Sequence, residues 1–240
     1  MPDAPDDVAV LVPAAGEGRR LGGERKQFRT LGDRPLLVQV LLQFDRHPRI
    51  GHLVVAVPDA HAEAVRDRLR AEELHALSAV VSGGETREAS VRHALRAVPP
   101  SVEVVLVHDA VRPFVRRQEI TTVVQATREH GAAAPALPVA DTLRHATDGA
   151  FGETVPRDGL YRMQTPQGFR RSWLEEAHRA ADAAAGAAAT DDVGLVQRTG
   201  RPVHLVRGHR RNFKITRPGD WQLAQALWSA QSSGSAEGSS

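Results

Sequence analysis

The sequence predicts a single α/β domain built on a doubly wound, mostly parallel twisted sheet with helices on both faces. Two observations carry that prediction. Short apolar, β-branched runs recur at 8–12, 53–57, 79–81, 102–107 and 202–206, and near-continuous apolar runs of strand length suit a parallel sheet buried on both sides. Between them lie stretches with helical spacing: Leu37, Val40, Leu41 and Phe44, then Val91, Ala94, Leu95 and Val98, each set at i, i+3, i+4, i+7. Strand and helix in alternation make βαβ units, which wind into an open sheet. With 240 residues, 41% of them hydrophobic, the chain can bury one sizeable core without a second domain. The domain is placed at 1–231.

The first run leads into Pro13-Ala14-Ala15-Gly16-Glu17-Gly18-Arg19-Arg20-Leu21-Gly22-Gly23, with Lys26 close behind. A glycine-rich turn after a strand lets backbone N–H groups approach phosphate oxygens without obstruction from Cβ atoms. The spacing excludes two common alternatives. A dinucleotide fingerprint needs a glycine where Leu21 stands, and a P-loop needs Gly-Lys-Ser/Thr. What remains is a G-x-G-x-R loop followed by Lys26, with Arg20 and Lys26 as two cations placed for a triphosphate. The competing reading is an ordinary strand-to-helix turn with solvated charges.

After the third run stands Gly83-Gly84-Glu85-Thr86-Arg87, with Ser90 one turn on, a close backbone approach suited to a nucleobase. The fourth run ends in His108-Asp109-Ala110-Val111-Arg112-Pro113, and the carboxyl ends of strands are where open α/β sheets bind ligands. Asp109 could hold a divalent cation through oxygen, cap the next helix, or pair with Arg112.

The rhythm breaks from Pro138 to Gly168, which has alternating polar residues, three prolines and no amphipathic helix. This reads either as an extended arm or hairpin, at about 138–166, or as an irregular surface loop. It contains Asp141-Thr142 and Arg157 and closes on Gln164-Thr165-Pro166-Gln167. An alanine-rich helix is expected over 171–189. The Thr190 hydroxyl is suited to cap the helix after it. Asn212-Phe213-Lys214-Ile215-Thr216 precedes a last helix that opens near Pro218 and ends near Trp228. The Gly/Ser-rich tail 232–240 reads as disordered.

Composition narrows the function classes. The pI of 9.6 would suit a nucleic-acid binder, yet the net charge is only +2, with 29 acidic residues interleaved among 31 basic ones and only 4% aromatic residues. Neither a basic stripe nor a stacking platform can be built from that. No window is apolar over the roughly 18 residues of a membrane span, and the N-terminus has no basic stretch and no apolar run. The expectation is a soluble cytoplasmic protein with neither a nucleic-acid nor a membrane partner. The absence of cysteine excludes disulfides, thiolate metal sites and a cysteine nucleophile. The only two lysines, Lys26 and Lys214, both fall in candidate phosphate motifs.

With these motifs in this order, from about Val8 to Trp228, the chain resembles the 2-C-methyl-D-erythritol 4-phosphate cytidylyltransferases. The first motif alone indicates only a nucleotidyltransferase; His108-Asp109-Ala110-x-Arg112-Pro113 and Lys214-Ile215-Thr216-x-Pro218 narrow it to the family. The resemblance implies a Rossmann-like nucleotidyltransferase fold with a projecting β-arm and a homodimer in which arms embrace, the partner's arm completing each active site. It implies transfer of CMP from CTP to methylerythritol 4-phosphate with Mg²⁺. Ala14, Ala15, Gly16, Gly84, Glu85, Ser90 and Ala110 would line the CTP site, Pro13, Gly18 and Gly83 are counted with the substrate-binding residues, and Arg20 and Lys26 would stabilise the transition state. Arg157 and Lys214 would position the acceptor, with Asp109, Arg112, Thr142 and Thr165 nearby. Thr190 is counted with the substrate-binding residues, and Asp109 with the metal. Two positions depart from the family, which usually has Asp at Glu85 and Ala at Val111.

The reaction implied is in-line attack of the acceptor phosphate on the α-phosphorus of CTP. A phosphate monoester has a second pKa of about 6 and is already mostly dianionic at neutral pH, so no general base is required. The nearest rival is a cytidylyltransferase acting on another polyol phosphate, such as ribitol 5-phosphate. A non-catalytic nucleotide-binding module is the alternative from a different class.

Overall fold

The computed structural model describes residues 7–16, 25–183 and 189–236. The sheet is built first on β1 (Val8–Pro13), β4 (Ile50–Val57), β5 (Leu77–Ser82) and β6 (Val104–Val107), which pair in parallel in the order β6-β1-β4-β5. Each of these contains or overlaps one of the apolar runs. Their alternate residues feed two cores. Val8, Val10 and Val12 face one side with Leu53 and Leu106, while Ala9 and Leu11 face the other with Val54 and Val105. The first core is closed by α1 (Leu36–Asp45), α2 (Ala62–Arg70) and α4 (Arg117–His130); the second by α3 (Arg87–Arg96), α5 (Arg171–Ala183) and α6 (Asp192–Arg198). Burial on both faces explains why these strands read as continuous apolar runs.

The far half of the sheet departs from the expectation. β7 (Ala132–Pro138) is a central strand that no apolar β-branched run announces. Its alanines are poor strand formers on their own, but they are buried on both faces, Ala133 in the first core and Ala132 and Ala134 in the second. β12 (His204–Arg207) runs parallel along one edge of β7. β10 (Tyr161–Met163) and β11 (Gln167–Arg170) run antiparallel along β7, with β11 inserted between β7 and β6. From Met163 to Gly168 the chain advances five residues while β7 advances three, from Ala136 to Ala133. The excess is thrown out as a bulge carrying Gln164, Thr165 and Pro166.

The arm is therefore narrower than 138–166, because Tyr161–Met163 pairs with β7 and the Gln164 N–H bonds Pro135 O. Its projecting part is a two-stranded ribbon, β8 (Leu143–Thr147) and β9 (Ala150–Val155), paired only with each other. Asp148 and Gly149 join them with φ of 50° and 80°, the pair of positive values that a type I′ hairpin turn requires. A minor pair, β2 (Thr30–Leu31) and β3 (Arg34–Pro35), precedes α1.

One helix boundary also moves. α5 is described over Arg171–Ala183, and 184–188 of the expected 171–189 helix lie outside the described residues. The last helix, α7 (Pro218–Ala236), passes Trp228 and enters the segment expected to be disordered, since Ala230 and Gln231 favour continuation. Residues 237–240 lie outside the described residues. Among the described residues no helix is long and apolar enough to cross a membrane.

Candidate active site

At the carboxyl ends of the parallel strands lies a cleft of about 830 Å³, lined by Pro13, Ala15, Gly16, Gly83, Gly84, Glu85, Ser90, Asp109, Ala110, Lys26 and Lys214 among others. Most of the residues singled out from sequence thus meet in one place. A second hollow of about 510 Å³, between α1 and α2, is lined by apolar side chains with Arg25, His61 and Arg68 and no carboxylate, and offers no comparable chemistry.

Each wall is fixed by local structure. Ala14 N–H donates to Ala56 O at 2.7 Å, continuing β1 beyond its end. The buried Gln27 then holds the start of the glycine-rich turn, its Nε2 donating to Ala14 O at 2.7 Å and Gly16 O at 3.0 Å, while Arg25 donates to Ala15 O at 3.0 Å. Gly18 and Arg20 lie outside the described residues. Lys26 Nζ reaches Ile215 O at 3.4 Å.

The Gly83-Gly84 turn packs so closely on its surroundings that side chains are excluded. A Cβ on Gly83 would stand 2.3 Å from Ala15 Cβ, and one on Gly84 would stand 2.4 Å from Ala89 Cβ. Ser90 braces this turn from below, accepting from Gly84 N–H at 3.1 Å and donating to Thr86 O at 2.9 Å. Thr86 caps α3 by accepting from Ala89 N–H. The amino end of α3 thus opens on the cleft beside the turn, adding a partial positive charge. Glu85 is exposed at the rim.

Asp109 is the electrostatic centre. Its Oδ1 lies 3.4 Å from Arg87 Nε, and its Oδ2 lies 3.2 Å from Arg112 Nε and 3.1 Å from Lys214 Nζ. Burial alone would push this carboxyl up, but Lys214, Arg87 and Arg112 outweigh it and hold it well below the usual carboxylate range. Of the roles left open for Asp109, pairing with Arg112 is realised. Arg112 is itself buried and committed, donating to Asn212 O at 2.8 Å and Met163 O at 3.3 Å, so it ties the β6 loop to the bulge and to the 209–214 loop from behind the cleft.

Lys214 is aimed by its neighbour Ile215. The Ile215 N–H bonds Val111 O, and the Ile215 side chain is wholly buried with Leu31, Leu36, Phe114 and Trp221. Burial of one such side chain contributes roughly 2 kcal/mol, enough to hold the ammonium over Asp109.

Six of the expected residues that are described do not line the cleft: Ala14, buried at the end of β1, Arg112, buried behind Asp109, and four others. Thr165 is buried behind Asp109, accepting the Asp109 amide N–H at 3.1 Å. Thr142 and Arg157 are exposed at the base of the arm, where Arg157 donates to Ala140 O. Thr190 does not cap α6. The cap is Asp191, a stronger side-chain acceptor, which takes the Gly194 N–H at 3.0 Å and the Gln167 amide at 2.8 Å.

Sequence reasoning gave no role to Arg87, Gln27, His108 or Asn212. Arg87 bridges Asp109 to the buried Asp192 at 2.6 Å, and the Asp192 carboxyl is lowered although burial opposes it. Asn212 donates to Thr165 O at 2.8 Å and Glu119 Oε1 at 3.2 Å. Of these, Gln27, His108 and Asn212 adjoin or fall within quoted motifs, while Arg87 closes the segment that begins with the Gly83-Gly84 turn; their burial was the missing signal.

Comparisons with known proteins identify the family. A sequence profile described as 2-C-methyl-D-erythritol 4-phosphate cytidylyltransferase (IspD) matches residues 8–230. A protein of that name from Salinibacter ruber is 63% identical over 221 residues, covering 92% of each chain. One from Thermus thermophilus is 44% identical over 228 residues, covering 93% of this chain and all of its own. A crystal structure of a Thermus thermophilus enzyme of the same name superposes with a TM-score of 0.79 at 40% identity, over 92% of this chain and 98% of that one. The chain therefore belongs to the 2-C-methyl-D-erythritol 4-phosphate cytidylyltransferase family of nucleotidyltransferases.

Proposed function

We propose that this cytidylyltransferase performs the reaction of its family, CMP transfer from CTP to 2-C-methyl-D-erythritol 4-phosphate with release of pyrophosphate, in the cleft at the ends of β1, β5 and β6. The observation that carries the reading is the pairing of a side-chain-free turn, Gly83-Gly84 against Ala15, with the Lys26 and Lys214 ammonium groups in a single cleft. The turn takes the cytosine, and the β1 loop with Lys26 and Arg20 takes the triphosphate. Lys214 takes the acceptor phosphate, which attacks the α-phosphorus without a general base because it arrives dianionic. Positioning and charge neutralisation do the rest. The cytoplasm is the proposed compartment.

Mg²⁺ fits this donor set in one way. Among the described residues no group of three or more His, Asp or Glu side chains is placed to hold a metal; an Mg²⁺ ion would be held by substrate phosphates and one carboxylate. Asp109 Oδ1, whose contact to Arg87 is the longer at 3.4 Å, is the oxygen that would hold it, and the ion would neutralise charge on the triphosphate.

Replacing Lys26 by Ala is expected to lower kcat by roughly 10²- to 10³-fold, by analogy with loss of one transition-state donor. Lys214→Ala is expected to raise KM for the acceptor well beyond any change for CTP. Steady-state kinetics on both variants checks this; a Lys26→Ala enzyme within twofold of the parent would contradict it.

A further inference from the structure

We propose that the hollow between α1 and α2 is a binding site for a phosphate monoester with an apolar tail, and that its occupant opposes CTP through Arg25, which lines both this hollow and the cleft. The coupling rests on the reading of the cleft as the CTP site; the binding does not. The hollow has no group for catalysis. Its walls are apolar, with Val38 from α1, Val65 and Leu69 from α2, and Phe28. At about 510 Å³ it has the size of a small-molecule site. Such walls give water few partners, and a hydrocarbon tail laid against them is removed from water in turn.

Charge selects the head group. The titratable side chains lining the hollow are Arg25, His61 and Arg68, with no carboxylate among the described lining residues. Arg68 Nε lies 3.7 Å from Glu72 Oε1, an exposed pair of the kind that holds its partners weakly. His61 stands against the Phe28 ring, centroids 5.8 Å apart. Of the Arg25 donors, Nη1 is bonded to Ala15 O at 3.0 Å and Gly16 O at 3.4 Å, which leaves Nε and Nη2 for a ligand. A phosphate monoester carries about −1.5 to −2 charges and three acceptor oxygens, and so engages several such donors where a carboxylate engages fewer. Arg25 is the shared part. An ion pair with phosphate is stronger than its bonds to two neutral carbonyls, so an occupant draws the guanidinium away from the turn that takes the triphosphate. The occupant's own charge repels the triphosphate as well. Both effects have one sign: occupancy weakens CTP binding, and by linkage CTP weakens the occupant by the same factor.

Octyl phosphate below its micelle concentration is the probe. In calorimetric titration of the protein without nucleotide, it is expected to bind about tenfold tighter than octan-1-ol, the margin of one hydrogen bond to a charged group, and tighter than nonanoate. This readout needs no turnover, so it stands even if CTP proves not to be the substrate. Arg68→Gln is expected to weaken octyl phosphate about tenfold. Ala64→Trp, at an exposed position of α2 that lines the hollow, fills it and is expected to abolish binding. Without octyl phosphate both variants should keep the parental kcat and KM values. In steady-state kinetics, saturating octyl phosphate is expected to raise the CTP KM of the parent about fivefold or more, and Ala64→Trp should show no rise. Equal binding of octan-1-ol, tighter binding of nonanoate, or binding of micelles alone would overturn the site. Inhibition that survives intact in Ala64→Trp would place the probe in the cleft and overturn it too. Binding with no change in CTP KM would overturn the coupling through Arg25.

Discussion

Three cations converge on one buried carboxylate, and the consequences are visible in how single groups titrate. Asp109 is held well below the usual range, so its charge survives at any pH where the enzyme works. His108 behaves oppositely: burial pushes its pKa from 6.5 down to about 4, and His47 is lowered by burial and then by Arg117 and Arg49. A histidine neutral in the fold binds a proton more readily when unfolded. Its contribution to stability is complete above the ordinary value of about 6.5 and is lost as pH falls towards the folded value. Asp109, depressed instead from 3.8, contributes fully above that value and loses its contribution progressively as pH falls below it. Thermal denaturation across pH is therefore expected to show Tm falling between about 6.5 and 4, before the carboxylates protonate, with a shallower fall in His108→Asn. A Tm that is flat over that interval would contradict the assignment. The residues that could be named from sequence were those whose type announces phosphate chemistry, such as Lys26, Lys214 and Asp109. Arg87 and His108 went without a role because their work depends on burial and on partners distant in the chain, Asp192 and Thr165.

Elements were legible where one physical cause dominated. β1, β4, β5 and β6 are buried on both faces, and their apolar runs say so. β7 was hidden because Ala132–Pro138 holds its place by small size: α4 packs so close that a Cβ on Gly168 of the neighbouring β11 would stand 2.1 Å from Thr127 Oγ1. Thr190 was taken for a cap because it precedes the helix, yet the neighbouring carboxylate of Asp191 does that work. The β8–β9 ribbon poses a different question. Its residues are mostly exposed on both faces, Phe151 by 84%, and a lone two-stranded ribbon is marginal in water. We propose that a second copy of the chain covers it in a homodimer and that Thr142 and Arg157 serve the partner's cleft, since neither lines its own. Phe151→Asp is expected to shift the protein towards monomer in light scattering and to raise acceptor KM. A dimer of unchanged affinity and activity would count against that role for the arm.

For the molecule as a whole, two cores clamp one sheet, and the three loops that carry the chemistry leave it at the same end. The glycine-rich turn leaves β1, the Gly83-Gly84 turn leaves β5, and Asp109 leaves β6, while the third cluster of Ile215, Phe114 and Trp221 swings Lys214 across them. Such a frame would fix where two phosphorylated substrates meet. The most direct test is pyrophosphate release from CTP with Mg²⁺, comparing methylerythritol 4-phosphate with ribitol 5-phosphate at equal concentration. Strong preference for methylerythritol 4-phosphate is the expected result; preference for ribitol 5-phosphate, or no release with either, would contradict it.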